Sequence, residues 1–240
     1  MQNRFIEKLN GFHSLGESDI GVLEKATARQ RRVAAKHDLI REGDRPGPVF
    51  VMLEGWACRY KILPSGTRQV LAYLMPGDSC DLHVGLLAEM DHSIQTITSA
   101  SVASIERAEM DLIMEQHPSI AKAIYVAQLV DEGTLRAWIT SMGRRASIER
   151  VAHLMCELYI RARNIGLAPE ISFILPLSQR LLADSLGMTP VHLNRVLKEL
   201  RVSGALNVKR GSVILNDLAE LVNIAGFDDN YLHRRLRKAL

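Results

Sequence analysis

Residues 175–206, LPLSQRLLADSLGMTPVHLNRVLKELRVSGAL, constrain the fold more than any other stretch, because they spell two short helices meeting at a tight turn. Ser178 offers an N-cap oxygen to the first helix, and Leu182, Ala183 and Leu186 supply its inner face. Gly187 permits the sharp turn because it carries no Cβ to clash. Thr189-Pro190 opens the second helix with a capping hydroxyl and a proline whose fixed φ suits the first helical position. Leu193, Val196, Leu197 and Leu200 then recur at helical spacing and line one buried face. The opposite face presents Val191, His192, Asn194, Arg195 and Lys198, which bring donors and positive charge to the start of the helix. Such a face suits the DNA major groove. Arg195 has a plainer alternative in an i, i+4 surface pair with Glu199.

Helix pairs joined by glycine also occur in proteins that never touch nucleic acid, so the next segment matters. Val202-Ser203-Gly204-Ala205 ends the second helix at a glycine. Leu206-Asn207-Val208 and Ser212-Val213-Ile214-Leu215 then alternate like strands around Lys209-Arg210-Gly211. A hairpin with two cations at its tip is a wing suited to phosphate. Charge supports this order of elements. Residues 144–240 carry 15 Lys and Arg against 9 Asp and Glu, whereas residues 1–143 carry 15 against 18. The positive charge therefore sits in the half that holds the helix pair, as binding to DNA requires.

Cys58, Cys80 and Cys156 are odd in number and widely spaced, which argues against a disulfide framework and for a reducing compartment. The N-terminal MQNRFIEKLNGF has no apolar signal core, and no run reaches the ~18–20 apolar residues of a membrane span. The expectation is a cytoplasmic protein with no membrane partner.

Residues 1–33 read as short helices, with Phe5, Ile6 and Leu9, then Ile20, Leu23 and Ala26, at helical spacing. From Lys36 the pattern changes. Gly43, Gly55, Gly66 and Gly77 recur at intervals of 12, 11 and 11, each one strand plus one turn. Short apolar runs at 49–53, 57–62 and 70–74 lie between them, and Ile94, Ile97, Val102 and Ile105 continue the alternation. This is the signature of a small β-sandwich or jelly roll. Helical periodicity returns near Glu109, Pro118 reads as a helix start, and the run from Ser119 to Met142 lacks proline. At roughly 24 residues it spans about 36 Å. It reads as a dimerisation helix with a seam of Ile120, Ile124, Ala127, Leu135 and Trp138, followed by a hinge at Gly143-Arg144-Arg145. Ser147 is expected to cap the next helix. Leu218, Leu221, Val222 and Ile224 suggest a last helix, and residues 231–238 form a basic tail.

The expected fold class is α+β, with a β-roll or jelly-roll effector domain over 1–117, a dimerisation helix and hinge over 118–143, and a winged helix-turn-helix DNA-binding domain over 144–240. In this order of parts, and in REGDRPGPVFVMLEGWACRY (41–60), LPSGTRQVLAYLMPGD (63–78) and LSQRLLADSLGMTPVHLNRVLKEL (177–200), the chain resembles the Crp/Fnr superfamily of bacterial transcription regulators. The resemblance covers nearly the whole chain. It implies a cyclic-nucleotide-binding-like roll and a homodimer that binds a two-fold-related site on double-stranded DNA and contacts RNA polymerase. By position, it puts Val191, Asn194 and Arg195 at the base edges, with Arg195 able to fork to guanine O6 and N7. Ser178, Gln179, Thr189, His192, Lys198, Lys209 and Arg210 fall at phosphate-contacting places. Many relatives carry Glu or Arg where Pro190 and Val191 stand, so the preferred half-site is expected to differ from that of the cyclic-AMP activator.

The sensing end departs from the family. Cyclic-AMP binders have Gly-Glu shortly after the Gly-Asp turn, then an Arg-Ser pair that neutralises the phosphate. Here Gly77-Asp78 leads into Ser79-Cys80-Asp81-Leu82-His83, the glutamate position is Leu82, and the Arg-Ser pair is His92-Ser93. Leu82 offers a ribose no acceptor, and Asp81 repels phosphate. Cyclic AMP is therefore not the expected effector. The lack of an N-terminal cysteine cluster points away from iron–sulfur as well. Haem on His83 or His92, redox chemistry at Cys58 or Cys80, another small molecule, or no effector at all stay open. The expected effector pocket is Cys80, Asp81, Leu82, His83, His92 and Ser93. No catalytic set is expected. The alternatives are a metal-dependent cupin-like enzyme using His83, Glu89 and His92, and a ligand-binding protein without DNA.

Overall fold

The computed structural model describes residues 3–80, 87–168, 171–209 and 211–233, which divide into two compact units, one up to Asp131 and one from Glu132 onward. In the first unit, helices α1 (Arg4–Phe12) and α2 (Glu17–Ala26) bury Phe5, Ile6, Leu9, Phe12 and Leu23. They lead into eight short strands: β1 (Gln30–Val33), β2 (Asp38–Ile40), β3 (Val49–Glu54), β4 (Ala57–Ile62), β5 (Arg68–Leu74), β6 (Ser79–Cys80), β7 (Ser93–Thr96) and β8 (Ala100–Ile105). These form two four-stranded antiparallel sheets, ordered β1-β8-β3-β6 and β2-β7-β4-β5. Side chains from both sheets meet in one core of Val33, Phe50, Met52, Ala57, Leu74, Cys80, Ile94, Ala100 and Val102. That is the β-roll expected from the regular glycines. Gly55 shows why one of them must be glycine: at φ +82 a Cβ would lie 2.5 Å from the Ser99 carbonyl oxygen.

Two boundaries differ from the expectation. The helical stretch read over 1–33 ends at Ala26, and Gln30–Val33 is an edge strand paired with β8. Ile97 lies past the end of β7, so the alternation breaks there.

Helix α3 (Arg107–Gln116) precedes α4 (Pro118–Arg144), which runs for 27 residues. The seam expected on α4 packs largely inward. Ile120 and Ile124 are fully buried, Ala127 is 8% exposed, and Trp138 is half-buried with its Nε1–H donating to Glu157 Oε2 at 2.9 Å. Of the five expected seam residues only Leu135 is exposed. The outward side instead carries Tyr125, Leu129, Leu135, Ile139 and Met142. Both sides of this helix carry apolar residues, and the side turned inward is the one that finds partners in its own chain.

The second unit is built around α5 (Ser147–Asn164), in which every residue from Val151 to Ile160 is buried. Strand β9 (Ser172–Ile174), α6 (Gln179–Leu186), α7 (Pro190–Val202), the hairpin β10 (Leu206–Lys209) and β11 (Ser212–Leu215), and α8 (Leu218–Ala225) surround it. The sheet order is β10-β11-β9. Helix α5 has Ala146 as its N-cap; Ser147, the expected cap, is its first helical residue. The buried Glu157 carboxylate accepts from Trp138, from the Tyr231 hydroxyl at 3.0 Å and from Arg161 at 3.3 Å. Burial pushes its pKa up, and the three donors oppose that rise.

His153 stacks on Tyr231, with ring centroids 5.9 Å apart, and meets the edge of Phe227 at 5.0 Å. Burial, helped by the charge of Arg145, lowers its pKa to about 4. An unfolded histidine takes up a proton near 6.5. The contribution of His153 is therefore complete above that pH and is lost as pH falls through about 4. The expected loss across this window is up to about 3 kcal/mol. Thermal unfolding between pH 7 and pH 4 should accordingly show a shallower acid decline for His153→Phe than for the wild type. Parallel declines would remove His153 from the acid response.

Candidate nucleic-acid interface

The helix pair folds as its local chemistry dictates. Ser178 Oγ accepts from the Leu181 N–H at 3.2 Å and Thr189 Oγ1 from the His192 N–H at 3.2 Å, so each hydroxyl caps its helix. Gly187 ends α6 at φ +61, ψ 39, the left-handed conformation a helix C-cap requires. Leu182, Ala183 and Leu186 of α6 and Leu193, Val196, Leu197 and Leu200 of α7 are buried. Their burial turns the opposite face of α7 to solvent. Val191 is 73% exposed, and Asn194, Arg195 and Lys198 are exposed beside it. An apolar side chain this exposed can pack on a thymine methyl.

Among the described residues Arg195 forms no ion pair with Glu199, so its guanidinium fork is available. Asn194 Nδ2 donates to Gln179 Oε1 at 3.0 Å across the two helices. That bond uses one donor of Asn194 and one acceptor of Gln179, so the Asn194 carbonyl and the Gln179 amide keep hydrogen-bonding capacity. Ser178, Gln179 and Thr189 are exposed at the helix starts, where backbone N–H groups and the helix dipole favour phosphate. His192 is placed differently from the expectation. It is half-buried, and its Nε2 is 2.8 Å from Ser147 Oγ, tying the start of α7 to the start of α5.

The wing forms as a hairpin of β10 and β11, with Leu206 opposite Leu215 and Lys209 opposite Ser212. Lys209 is exposed near the tip, and Arg210 lies outside the described residues. Two features were missed in the sequence. Strand β9 adds a third strand beside β11, and the Leu175 N–H donates to the Gly211 carbonyl at 2.7 Å, which fixes the wing against the lead-in to α6. A three-residue strand whose partner lies some forty residues away leaves no local signal.

In the β-roll, the residues expected to form an effector pocket are only partly gathered. Asp81, Leu82 and His83 lie outside the described residues. Cys80 belongs to the apolar core. Ser93 Oγ accepts from the Glu42 N–H at 3.0 Å. His92 is buried, with Nδ1 2.6 Å from Asp91 Oδ1 and Nε2 accepting from Arg59 Nε at 3.1 Å. The His92 bond holds the Asp91 carboxyl below its ordinary pKa. With both ring nitrogens engaged, His92 presents neither to a haem iron as arranged. Cys58 is fully buried and accepts from Arg68 Nη2 at 2.9 Å. Glu89 is exposed, and among the described residues no three His, Cys, Asp or Glu side chains converge on a metal-sized space.

A β-roll followed by a long helix and a winged helix pair, with a basic, capped and outward-facing second helix, defines a DNA-binding regulator of transcription. Comparison with known proteins agrees. The model of the cyclic nucleotide-binding domain matches residues 30–117, and that of the Crp-like helix-turn-helix domain matches residues 149–224. The chain is 27% identical over 198 residues to the nitrogen fixation regulation protein FixK of Bradyrhizobium diazoefficiens, covering 82% of each chain. It is 27% identical over 218 residues to the transcriptional activator protein FnrL of Cereibacter sphaeroides, covering 86% of each. Among solved structures, FixK2 of Bradyrhizobium japonicum superposes with a TM-score of 0.75 at 23% identity, over 83% of this chain and 98% of that one. The c-di-GMP responsive regulator CLP of Xanthomonas campestris does so with a TM-score of 0.66 at 18% identity, over 84% and 100%. The chain belongs to the Crp/Fnr family of transcription regulators and is not an enzyme. Among the described residues, no helix is long and apolar enough to cross a membrane.

Proposed function

We propose that the protein works as a homodimer in the cytoplasm, with α7 of each copy reading one half of a two-fold-related DNA site and RNA polymerase as its partner in transcription. The observation that carries this reading is the solvent face of α7. Val191, Asn194 and Arg195 stand out from a helix whose other face is buried. Three different side chains are thus presented to base edges: an apolar contact, a carboxamide and a guanidinium fork. Ser178, Gln179, Thr189, Lys198, Lys209 and Arg210 hold the phosphates on either side. His192 is assigned to positioning α7 through Ser147. Dimerisation is supported by the outward apolar side chains of α4, from Tyr125 to Met142. The functional division follows: a sensor over 1–117, a pairing helix over 118–143, and a DNA reader from 144.

The signal is something other than cyclic AMP. This rests on Leu82 and His92 standing where a ribose acceptor and a phosphate-binding arginine are needed, and on the engagement of His92 with Asp91 and Arg59. Added cyclic AMP is expected to leave the thermal midpoint unchanged.

The wing gives a direct check on phosphate contacts. Lys209→Ala should weaken binding to a preferred duplex and to random duplex alike, and lower the slope of log affinity against log salt by about one. That is measured by fluorescence anisotropy over a salt series. A loss confined to one sequence would place Lys209 at a base instead.

A further inference from the structure

A single guanidinium gathers the ends of the helices behind the reading face. Arg150 lies in the first turns of α5. Its Nη1 donates to the Leu186 carbonyl at the end of α6, at 2.8 Å. Its Nη2 donates to the carbonyls of Met142 in the last turn of α4 and Arg145 just beyond it, at 3.4 and 3.3 Å. These are the carbonyls that helices leave without internal partners, at the negative ends of their dipoles. Arg150 Nε is buried with no partner among the described residues, so the side chain is held there at a cost that packing alone does not explain.

We propose that Arg150 is a positioning residue for the base-reading helix, setting the angle of α6 and α7 against the end of α4. This inference rests on α7 being the DNA reader and α4 the pairing helix. The planar fork allows one side chain to hold three carbonyls; a lysine ammonium has no such fixed geometry. The angle matters because base edges tolerate little misplacement, whereas phosphate attraction is long-ranged and orientation-tolerant. In a dimer the same angle sets the distance between the two α7 helices and thus the half-site spacing. The Ser147–His192 bond supports the same corner from the other end of the turn. Neither residue needs to touch DNA for this purpose.

The test uses the full-length protein and two duplexes of equal length at one salt concentration: one enriched by the wild type from a random library, the other random. Arg150→Met is expected to lose more than about tenfold on the enriched duplex while holding its affinity for random duplex within about twofold. Library selection with the variant should return the same half-site letters with a broadened spacing. Arg150→Lys, which keeps the charge and the stem, should fall nearer to Arg150→Met than to the wild type, and it carries the test if the methionine variant does not fold. Equal losses on both duplexes would make Arg150 a phosphate contact and overturn the proposal. Wild-type spacing and affinity in both variants would overturn it too. If the wild type itself enriches no duplex, the reading of α7 fails first and this inference falls with it.

Discussion

Arg195→Ala is expected to weaken binding to the preferred duplex by about 1–3 kcal/mol and to relax the requirement at one base pair of each half-site. Arg195 is exposed on the solvent face of α7 and makes no ion pair with Glu199 among the described residues. Its loss therefore leaves no unpaired carboxylate and creates no cavity, and unfolding should be unaffected to within about 0.5 kcal/mol. This separates it from Leu193 or Leu200 in the same helix, where truncation opens the core. The measurement is a comparison of the sequences selected by wild type and variant, together with their thermal midpoints. A uniform loss over all sequences would move Arg195 from base reading to phosphate contact. An unchanged profile would remove it from the interface.

Ile139→Asp is expected to have the larger effect. Ile139 is 72% exposed on α4, so a carboxylate there costs an isolated copy little. Between two paired copies, the same carboxylate would be buried without a partner, at a cost of several kcal/mol. The pair should then separate. Binding to a two-fold site loses the second half-site, which a linked first site had made intramolecular, a loss of about 10²–10⁴-fold. Sedimentation velocity would report the change in mass, and anisotropy the change in affinity. Ile124→Asp makes the contrast, because Ile124 is fully buried in its own chain and its substitution should unfold the protein. A dimer that survives Ile139→Asp would place the pairing surface elsewhere.

The reading half of the molecule was legible because its signals are local. Two capping hydroxyls, a left-handed glycine and one apolar face per helix lie within a few residues of what they specify. The roll was legible from the spacing of its glycines and short apolar runs, although not in its pairing. Strand β1 carries no strand signal of its own, because three of its four residues are polar and exposed and its partner β8 lies some seventy residues on. The seam on α4 was misassigned for a related reason. Ile120 and Ile124 obey the helical spacing as well as Tyr125 and Leu129 do, and only the packing of the chain decides which side turns inward. Arg150 was invisible because its meaning comes from carbonyls at positions 142, 145 and 186, and no sequence pattern records a carbonyl. His192 read as a phosphate contact from its place at the mouth of α7, yet its ring is turned to Ser147 on another helix. The β-roll is read least, since Leu82 and His92 stand against cyclic AMP in the sequence without naming another ligand.

On the proposed function, two copies of α7 read a symmetric site through Val191, Asn194 and Arg195. Selection of bound duplexes from a random library by the purified full-length protein tests it most directly. The expected result is enrichment of an inverted repeat whose half-site centres lie about one helical turn apart or a multiple of it, ~10 bp for one turn. Enrichment of no sequence, or of a single unpaired element, would contradict it.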